Sequence, residues 1–187
     1  MSDLGHFHRA DPAVLDDDPF WSVVRRRHRD VDIVLLPEDP DPPAEPGPSL
    51  APEALSAVGE RLVATWAVLA PLVGAHGEQV EPTVAWSPGD DGHALVVESA
   101  VRGLGQEGGT DLLRAVIGAL GERDWRFAPS SRAGLPLLRA TDGLLDLEAV
   151  AGPGATVLTL ATGVLPVSEG QRAAVEDRVT EAVASWQ

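Results

Sequence analysis

The chain contains 187 residues, with a formal net charge of -15 and no cysteine. This length allows one domain with a full hydrophobic core and a short appendage. The absence of cysteine excludes disulfides, thiolate metal ligands and cysteine nucleophiles, and the acidity argues against nucleic acid and anionic lipid as partners because the field of the chain repels both.

The chain begins with an acidic segment, residues 1–18, that lacks the apolar run of a secretory signal peptide. We expect this segment to be a flexible tail. No run of about 18 uninterrupted apolar residues is present that would span a bilayer. These features predict a cytoplasmic protein with no membrane insertion. All 14 basic residues are arginines and alanine, glycine, valine and proline are abundant, which suggests a bacterial source with GC-rich DNA.

Two histidines of the tail have the spacing of metal ligands. His6 and His8 lie on the same side of an extended segment and, with Asp3 or Asp11, have the donor atoms that a metal ion needs. Terminal tails are usually disordered, however. We therefore expect no metal ion and no other cofactor.

Residues 19–36 predict a short helix followed by a strand at residues 31–36. Pro19 is a favoured first helical residue, three aspartates precede it, and arginines follow about two turns later, an arrangement that suits the helix dipole. An alternative is a cationic docking surface for an acidic partner. Nucleic acid is a weaker alternative, because the flanking aspartates cancel most of the positive field. The candidate partner-binding residues of this segment are Phe20, Trp21, Arg25, Arg26 and Arg27.

Residues 37–50, PEDPDPPAEPGPSL, predict a linker. They combine six prolines and four acids with almost no apolar side chains, so we expect a semi-rigid extended segment. The linker separates the appendage from a folded domain at residues 51–187. The domain carries nine arginines and eighteen acids, a formal charge of -9.

The domain begins with an amphipathic pattern that predicts a helix over residues 55–73, which Pro71 and Gly74 should end. Two β-rich runs follow at residues 83–87 and 94–100, with Asp91-Gly92 as a hairpin turn between them. Thr110 and Asp111 should then cap a second helix that ends before Gly121.

The C-terminal half predicts a strand meander and a last helix. Strands are expected at 135–140, 144–150 and 156–162, with a short additional one at 125–128. Ser168 and Gln171 form a capping box, and the sequence predicts a helix over 168–186. Its apolar stripe consists of Val175, Val179, Ala182, Val183 and Trp186.

The predicted class is α+β, with a mainly antiparallel sheet of about five to six strands and three helices. The predicted order is α-β-β-α-β-β-β-α, preceded by the short helix and strand of the appendage. Hairpins rather than crossovers join most neighbouring strands, which favours antiparallel pairing.

Residues 103–108, GLGQEG, fit the spacing of a dinucleotide-binding loop. The preceding strand contains Glu98 and Arg102, where a buried parallel strand should be apolar, and Glu107 would face the pyrophosphate. The predicted helix cap also follows the last glycine of the motif. We therefore interpret these residues as a flexible connector.

Asp146 and Glu148 share one face of a predicted strand, a spacing that permits paired-carboxylate chemistry. Solvent exposure of that face is the favoured explanation. None of the later histidines lies near a nucleophile elbow, and the chain contains no tyrosine. These histidines are His28, His76 and His93.

The order of elements and the acidity of residues 52–187 resemble those of type III secretion chaperones and YbjN-like proteins. The resemblance differs in the first strand group, where two strands are visible instead of three, and residues 31–36 would supply the third. It implies a homodimer that binds another polypeptide on apolar surfaces of its sheet or helices.

These observations predict a non-enzymatic protein-binding module, acidic and chaperone-like or secretion-associated, that binds an unknown protein partner and forms a homodimer. The strand at 156–162 supports this hypothesis because both of its faces are apolar, so each needs a cover. The candidate contacts are Val157, Thr159 and Ala161. The alternative is a small enzyme or ligand-binding domain, with a pocket between sheet and helices that uses Asp146, Glu148 or His93.

Overall fold

A computed structural model describes residues 49–186 and, before them, Val23 and Arg27, which are both helical. Residues 49–186 lie in one compact unit, Glu45–Gln187. Several predictions lie outside the described residues. They are the tail 1–18 with its His6 and His8, His28, the strand 31–36, the linker up to residue 48, and the candidate contacts Phe20, Trp21, Arg25 and Arg26.

The structure confirms an α+β fold with an antiparallel sheet. In residues 49–186 three helices occur, α1 (Pro52–His76), α2 (Gly105–Gly121) and α3 (Glu169–Ala184). Seven strands accompany them: β1 (Glu78–Gln79), β2 (Thr83–Gly89), β3 (Gly92–Arg102), β4 (Arg126–Arg132), β5 (Leu135–Thr141), β6 (Leu145–Ala151) and β7 (Ala155–Thr162).

The sheet has six positions across, because β1 and β2 share one edge. Its order is β1-β3-β7-β6-β5-β4, and β2 pairs with β3 beside β1. Gln79 pairs with Val101 and Thr83 pairs with Glu98, so the outer strand has three residues opposite two of β3. This extra residue forms a bulge within residues 80–82, which include the buried Pro82. A proline and a bulge on an edge strand both discourage further pairing there.

The β2–β3 hairpin turns one residue earlier than predicted. Gly89 pairs with Gly92, so the two turn residues are Asp90 and Asp91 rather than Asp91-Gly92. Gly92 has a φ of 155° and packs against the backbone of Leu165, which pairs with His93. No larger residue fits there, and this close contact moves Gly92 from the turn into the strand.

All three helices pack on one face of the sheet. Buried side chains alternate along β3 and β7, and the cross-strand pairs Val97–Leu160 and Val101–Thr156 point to the same side. α2 contacts β5, β6 and β7, α1 lies between the other two helices, and α3 reaches β2. The main core therefore lies in a single layer between the helices and this face.

The first helix is longer than predicted, since α1 continues past Pro71 and Gly74 to His76. Pro71 is exposed, whereas its neighbours Ala70 and Val73 are buried. Packing of the buried side outweighs the lost hydrogen bond at Pro71. α1 is long and apolar enough to cross a membrane, with a mean hydropathy of 1.3 over a window of 18 residues. Leu62, Trp66 and other apolar side chains of this helix are buried in the core.

Residues 105–108 of the glycine-rich segment are helical, so its interpretation as a flexible connector was wrong for these residues. α2 begins at Gly105 rather than after Thr110, whose hydroxyl donates to the carbonyl of Gln106 within the helix. Gly109 is buried against β6 and β7, where a Cβ would lie 2.8 Å from the Cβ of Ala151 and closer still to the hydroxyl of Thr156. Absence of a side chain allows the helix to approach the sheet.

The last helix begins as predicted and ends earlier. Ser168 and Gln171 form both hydrogen bonds of the capping box, and Val175, Val179 and Val183 are buried. Trp186 lies beyond the helix with 49% of its surface exposed, so the predicted stripe stops before it. Gln171 also donates to the carbonyl of Leu50 at 2.9 Å, which joins the last residue of the predicted linker to the domain.

The remaining strand predictions hold with small shifts. The short strand expected at 125–128 is the seven-residue β4, and it forms the second edge of the sheet. A third strand in the first group, β1, comes from Glu78 and Gln79 within the domain.

An ion pair joins α1 to the β5–β6 turn. Arg61 donates to Oδ2 of Asp142 from Nε and Nη2, at 3.2 and 2.9 Å, and Oδ1 accepts the backbone N–H groups of Leu144 and Leu145. Burial raises the pKa of Asp142, but the N–H groups of Leu145 and Leu144 and the Arg61 guanidinium together outweigh it and hold this pKa below its ordinary value of 3.8.

We predict opposite effects of alanine at two glycines of α2. Gly109→Ala should lower the free energy of unfolding by about 1–3 kcal/mol, because its methyl overlaps Thr156 and Ala151. Gly118→Ala should raise it by about 0.5–1 kcal/mol, because that position is exposed and open. Urea unfolding of both variants measures this, and equal effects would contradict the close approach of α2.

We also predict that Asp142→Asn destabilises the protein by about 1–3 kcal/mol at pH 7, because it removes the ion pair with Arg61. A carboxylate whose pKa is lowered by folding stabilises the folded state at pH values above its unfolded-state pKa. This stabilisation is lost as the pH falls through its folded-state pKa. The difference from the wild type should therefore begin to shrink near pH 3.8 and be lost once the pH falls below the folded-state pKa of Asp142, which is lower than 3.8. Asp111→Asn, which disrupts an exposed pair with Arg114, is the control and should change little.

Candidate functional site

The candidate site is the face of the sheet opposite the helices, which we call the uncovered face because no helix or strand within residues 49–186 packs on it. Strand alternation places Val157, Thr159 and Ala161 of β7 there, all half-buried. The predicted contacts of the last strand therefore lie together. Arg27 is exposed and helical.

Side chains of the uncovered face form rows across the strands, because each antiparallel register brings one residue of every strand into line. One row is apolar and consists of Leu137, Val150, Val157 and Ala100. We call it the apolar row. The row beside it is polar and consists of Ala128, Arg139, Glu148, Thr159, Glu98 and Thr83.

Two arginines hold Glu148 on this face. Arg139, its cross-strand partner, donates from Nε to Oε2 at 2.9 Å, and Arg132 lies 3.1 Å from Oε1. The hydrogen bond from Arg139, helped by the charge of Arg132, keeps the pKa of Glu148 below its ordinary value of 4.5 against the opposite effect of burial. A carboxylate held ionised in this way is a poor general acid.

The bridge between Arg132 and Glu148 crosses the apolar row. Arg132 lies on β4 and Glu148 on β6, and in the register of the sheet Leu137 of β5 lies between them. The aliphatic stem of an arginine can cover apolar surface while its head remains solvated. The bridge lies across the position of Leu137, which is 4% exposed on the uncovered face.

A groove of about 440 Å³ lies at the end of the face next to the β5–β6 turn. Small side chains, including Ala128, Thr159 and Ala161, form much of its lining. Arg126 and Asp146 also line the groove, and neither forms an ion pair with another described residue. The groove therefore offers apolar surface between opposite charges.

Of the residues named for an enzymatic alternative, the two carboxylates share a face and His93 lies on the other. Asp146 and Glu148 lie on the uncovered face, as their spacing predicted. His93 precedes Leu95 by two residues on β3 and so faces the helices, with its Nδ1 buried. His76 bonds the carbonyl of Leu72 through Nδ1 at the end of α1. No histidine in the described part of the chain shares a face with the carboxylates.

Within the described residues no group of three histidines or acids has the arrangement of a metal site. The GLGQEG segment also lacks the setting of a dinucleotide loop. The strand before it is antiparallel to its sheet neighbours, whereas a dinucleotide-binding unit needs parallel strands.

The sequence reasoning missed most of the charged residues of the uncovered face. They are Arg102, Arg126, Arg132, Arg139, Glu78 and Glu98. Part of this arrangement could be predicted from the sequence. Side chains of a strand alternate between its two faces, so Arg126, Ala128 and Arg132 share one face of β4. Pairing of Arg139 with Glu148 follows from the β5–β6 hairpin once its turn is known.

Comparison with known proteins gives one structural similarity. No protein-family model matches the chain, and no curated protein matches it. Among solved structures, a DUF4853 family protein from Actinomyces odontolyticus is similar, with 15% sequence identity and a TM-score of 0.44. The similarity covers 67% of this chain and 76% of that chain.

We predict that the titration midpoint of Glu148 lies below 4.5 and rises when its arginines are removed. Arg139→Gln should raise it more than Arg132→Gln, because the hydrogen bond from Arg139 is the largest influence. Arg126→Gln serves as the control and should leave it unchanged. Carboxyl carbon NMR across an acid titration measures these midpoints, and equal midpoints in all variants would contradict the bridge.

Proposed function

We propose that the protein is a non-enzymatic protein-binding module whose contact surface is the uncovered face. The observation that carries this proposal is the apolar row, in which Val150, Val157 and Ala100 are half-buried without a described element above them. An apolar sheet surface of this kind usually needs a cover, and a second polypeptide supplies one. A chaperone-like role is the form of this function in which the bound polypeptide is a client.

The chemistry of the uncovered face supports binding more than catalysis. Glu148 is neutralised by two arginines, and the described histidines lie elsewhere. General acid–base catalysis needs a group whose pKa lies near the working pH, within reach of the reacting atom. The lowered pKa of Glu148 moves it away from this condition.

A second candidate function, ligand binding, is favoured by the groove. Its volume of about 440 Å³ is within the range of small-molecule sites, and it has apolar walls with a few polar groups. This groove lies on the uncovered face and not between sheet and helices, where the sequence had placed the pocket. A ligand there would meet Arg126, Asp146 and Thr159.

Thr159→Arg tests the uncovered face as the contact surface, because it places a long charged side chain on the centre of that face. Thr159 also lines the groove, so the two functions are distinguished by whether the wild type retains a polypeptide or a small molecule. We expect tagged wild-type protein to capture a stoichiometric polypeptide from its native lysate and this variant to lose it by at least about tenfold. Ala57→Arg, on the exposed side of α1, is the matched control and should retain it.

Native mass spectrometry of the same samples tests the alternative. A small molecule bound to the wild type, with no polypeptide retained, would favour ligand binding in the groove. Equal capture by the wild type and Thr159→Arg would contradict the uncovered face as the contact surface. Equal melting temperatures of the variants show that any loss is not caused by unfolding.

A further inference from the structure

Charge is distributed unevenly between the uncovered face and the rest of the domain. The uncovered face holds four arginines, Arg102, Arg126, Arg132 and Arg139, and four acids, Glu78, Glu98, Asp146 and Glu148. Its net charge is zero, so the remainder of residues 51–187 carries the whole formal charge of -9. Two copies of the domain therefore repel each other least when they meet through this face.

The positions of two of these charges suit a two-fold contact. Glu98 and Arg102 lie on β3 on either side of Ala100, which belongs to the apolar row. A two-fold axis that runs across the strands along this row reverses the direction of the partner's strands. It therefore places Glu98 of each copy opposite Arg102 of the partner subunit, and both ion pairs form at once.

The same axis stacks the apolar row on itself. Ala100, Val157 and Val150 then face their own equivalents, and the Arg132–Glu148 bridge bounds the contact at β4 and β5. Two sheets pack about 10 Å apart with aligned strands, and small side chains suit this separation. An isologous contact is self-complementary in this sense.

The area of the uncovered face sets an upper bound on the contact between two copies. The sheet has six strand positions spaced by about 4.8 Å, and a strand of about seven residues rises roughly 3.3 Å per residue. These dimensions give a face on the order of 700 Å². A standard interface buries roughly 800 Å² on each partner. A two-fold axis along the apolar row overlaps only the parts of the two faces that extend equally on both sides of the row. Because Val150 is next to the last residue of β6, this overlap is smaller than the whole face and than a standard interface.

We propose that the uncovered face pairs with the same face of a second copy of this chain, about a two-fold axis along the apolar row, with Glu98 bound to Arg102 of the partner subunit. This inference rests on the proposed function and names the polypeptide that occupies the face. Arg102 also has Glu78 as its cross-strand neighbour, at a separation beyond ion-pair distance. Its guanidinium remains available to the partner's Glu98.

Charge reversal on the full-length chain tests the geometry. Glu98→Arg gives each copy two cations at the contact, and Arg102→Glu gives each copy two anions, so each variant alone should dimerise about tenfold or more weakly. Mixed together, the two variants are complementary and should form a heterodimer. Size exclusion with light scattering measures the masses, and two different affinity tags detect the heterodimer.

The controls carry the same charge changes on the helical side. Glu181→Arg on α3 and Arg114→Glu on α2 are exposed and should stay dimeric. Because the wild type lacks cysteine, Ala100→Cys adds one thiol on the proposed axis, and a short bifunctional thiol reagent should link two copies. Ala57→Cys, on the outer side of α1, should not be linked.

Each other result contradicts the second copy as the occupant. A wild type that is monomeric at tens of micromolar overturns it; hydroxyl-radical footprinting then shows whether the face is protected by residues 1–48 or open to another protein. Dimers that survive both charge reversals would place the contact elsewhere. If the wild type is monomeric but Thr159→Arg still loses the captured polypeptide, the proposed function stands and only the second copy is rejected. If Thr159→Arg changes neither the captured polypeptide nor the molecular mass, the proposed function fails as well.

Discussion

The one-sided packing of the helices determines most of what this protein can do. β7 is apolar on both faces, with Leu158 and Leu160 on one and Val157 and Ala161 on the other. Three helices cover the first face, and Gly109 allows α2 to approach β6 and β7 closely. Among the described elements none remains for the second face, so its apolar residues define a surface and not a core.

The arrangement of charge follows from the same division. On the uncovered face, arginine and acid side chains project from neighbouring strands, and Glu148 binds two arginines at once. Such pairs on a partly exposed surface add little to stability. Their effect lies in neutralising the face, while the acidic groups of the helices and loops keep the domain apart from other acidic molecules.

Local sequence patterns correctly predicted the helices and strands that depend on residues close to one another in the sequence. The capping box at Ser168 and the alternation of β5, β6 and β7 depend on neighbouring residues, and the structure has them where the sequence indicated. The errors concern residues whose conformation depends on distant contacts. Pro71 and Gly109 are helix breakers by intrinsic preference, yet both lie inside helices because the sheet and neighbouring helices bury their surroundings.

The sequence predicted some residues of the candidate site but not how the strands align them into rows. Alternation along β7 was sufficient to name Val157, Thr159 and Ala161 as members of one face. The rows across the sheet depend on the register of hairpins and on the β3–β7 pairing, which joins residues about sixty positions apart. Neither Glu98 nor Arg102 has a local feature that reveals its proposed contact, because that contact depends on Ala100 lying in line with Val157.

Reciprocity is the property that distinguishes a second copy from other partners of the uncovered face. An acidic or basic partner would select for an excess of the opposite charge, as basic surfaces do for nucleic acid. Here the arginines and acids balance, and two of them stand at equal distances from an apolar centre. A neutral surface with this internal symmetry gains little from a strongly charged partner, whereas it matches its own image with both ion pairs formed and the apolar row buried.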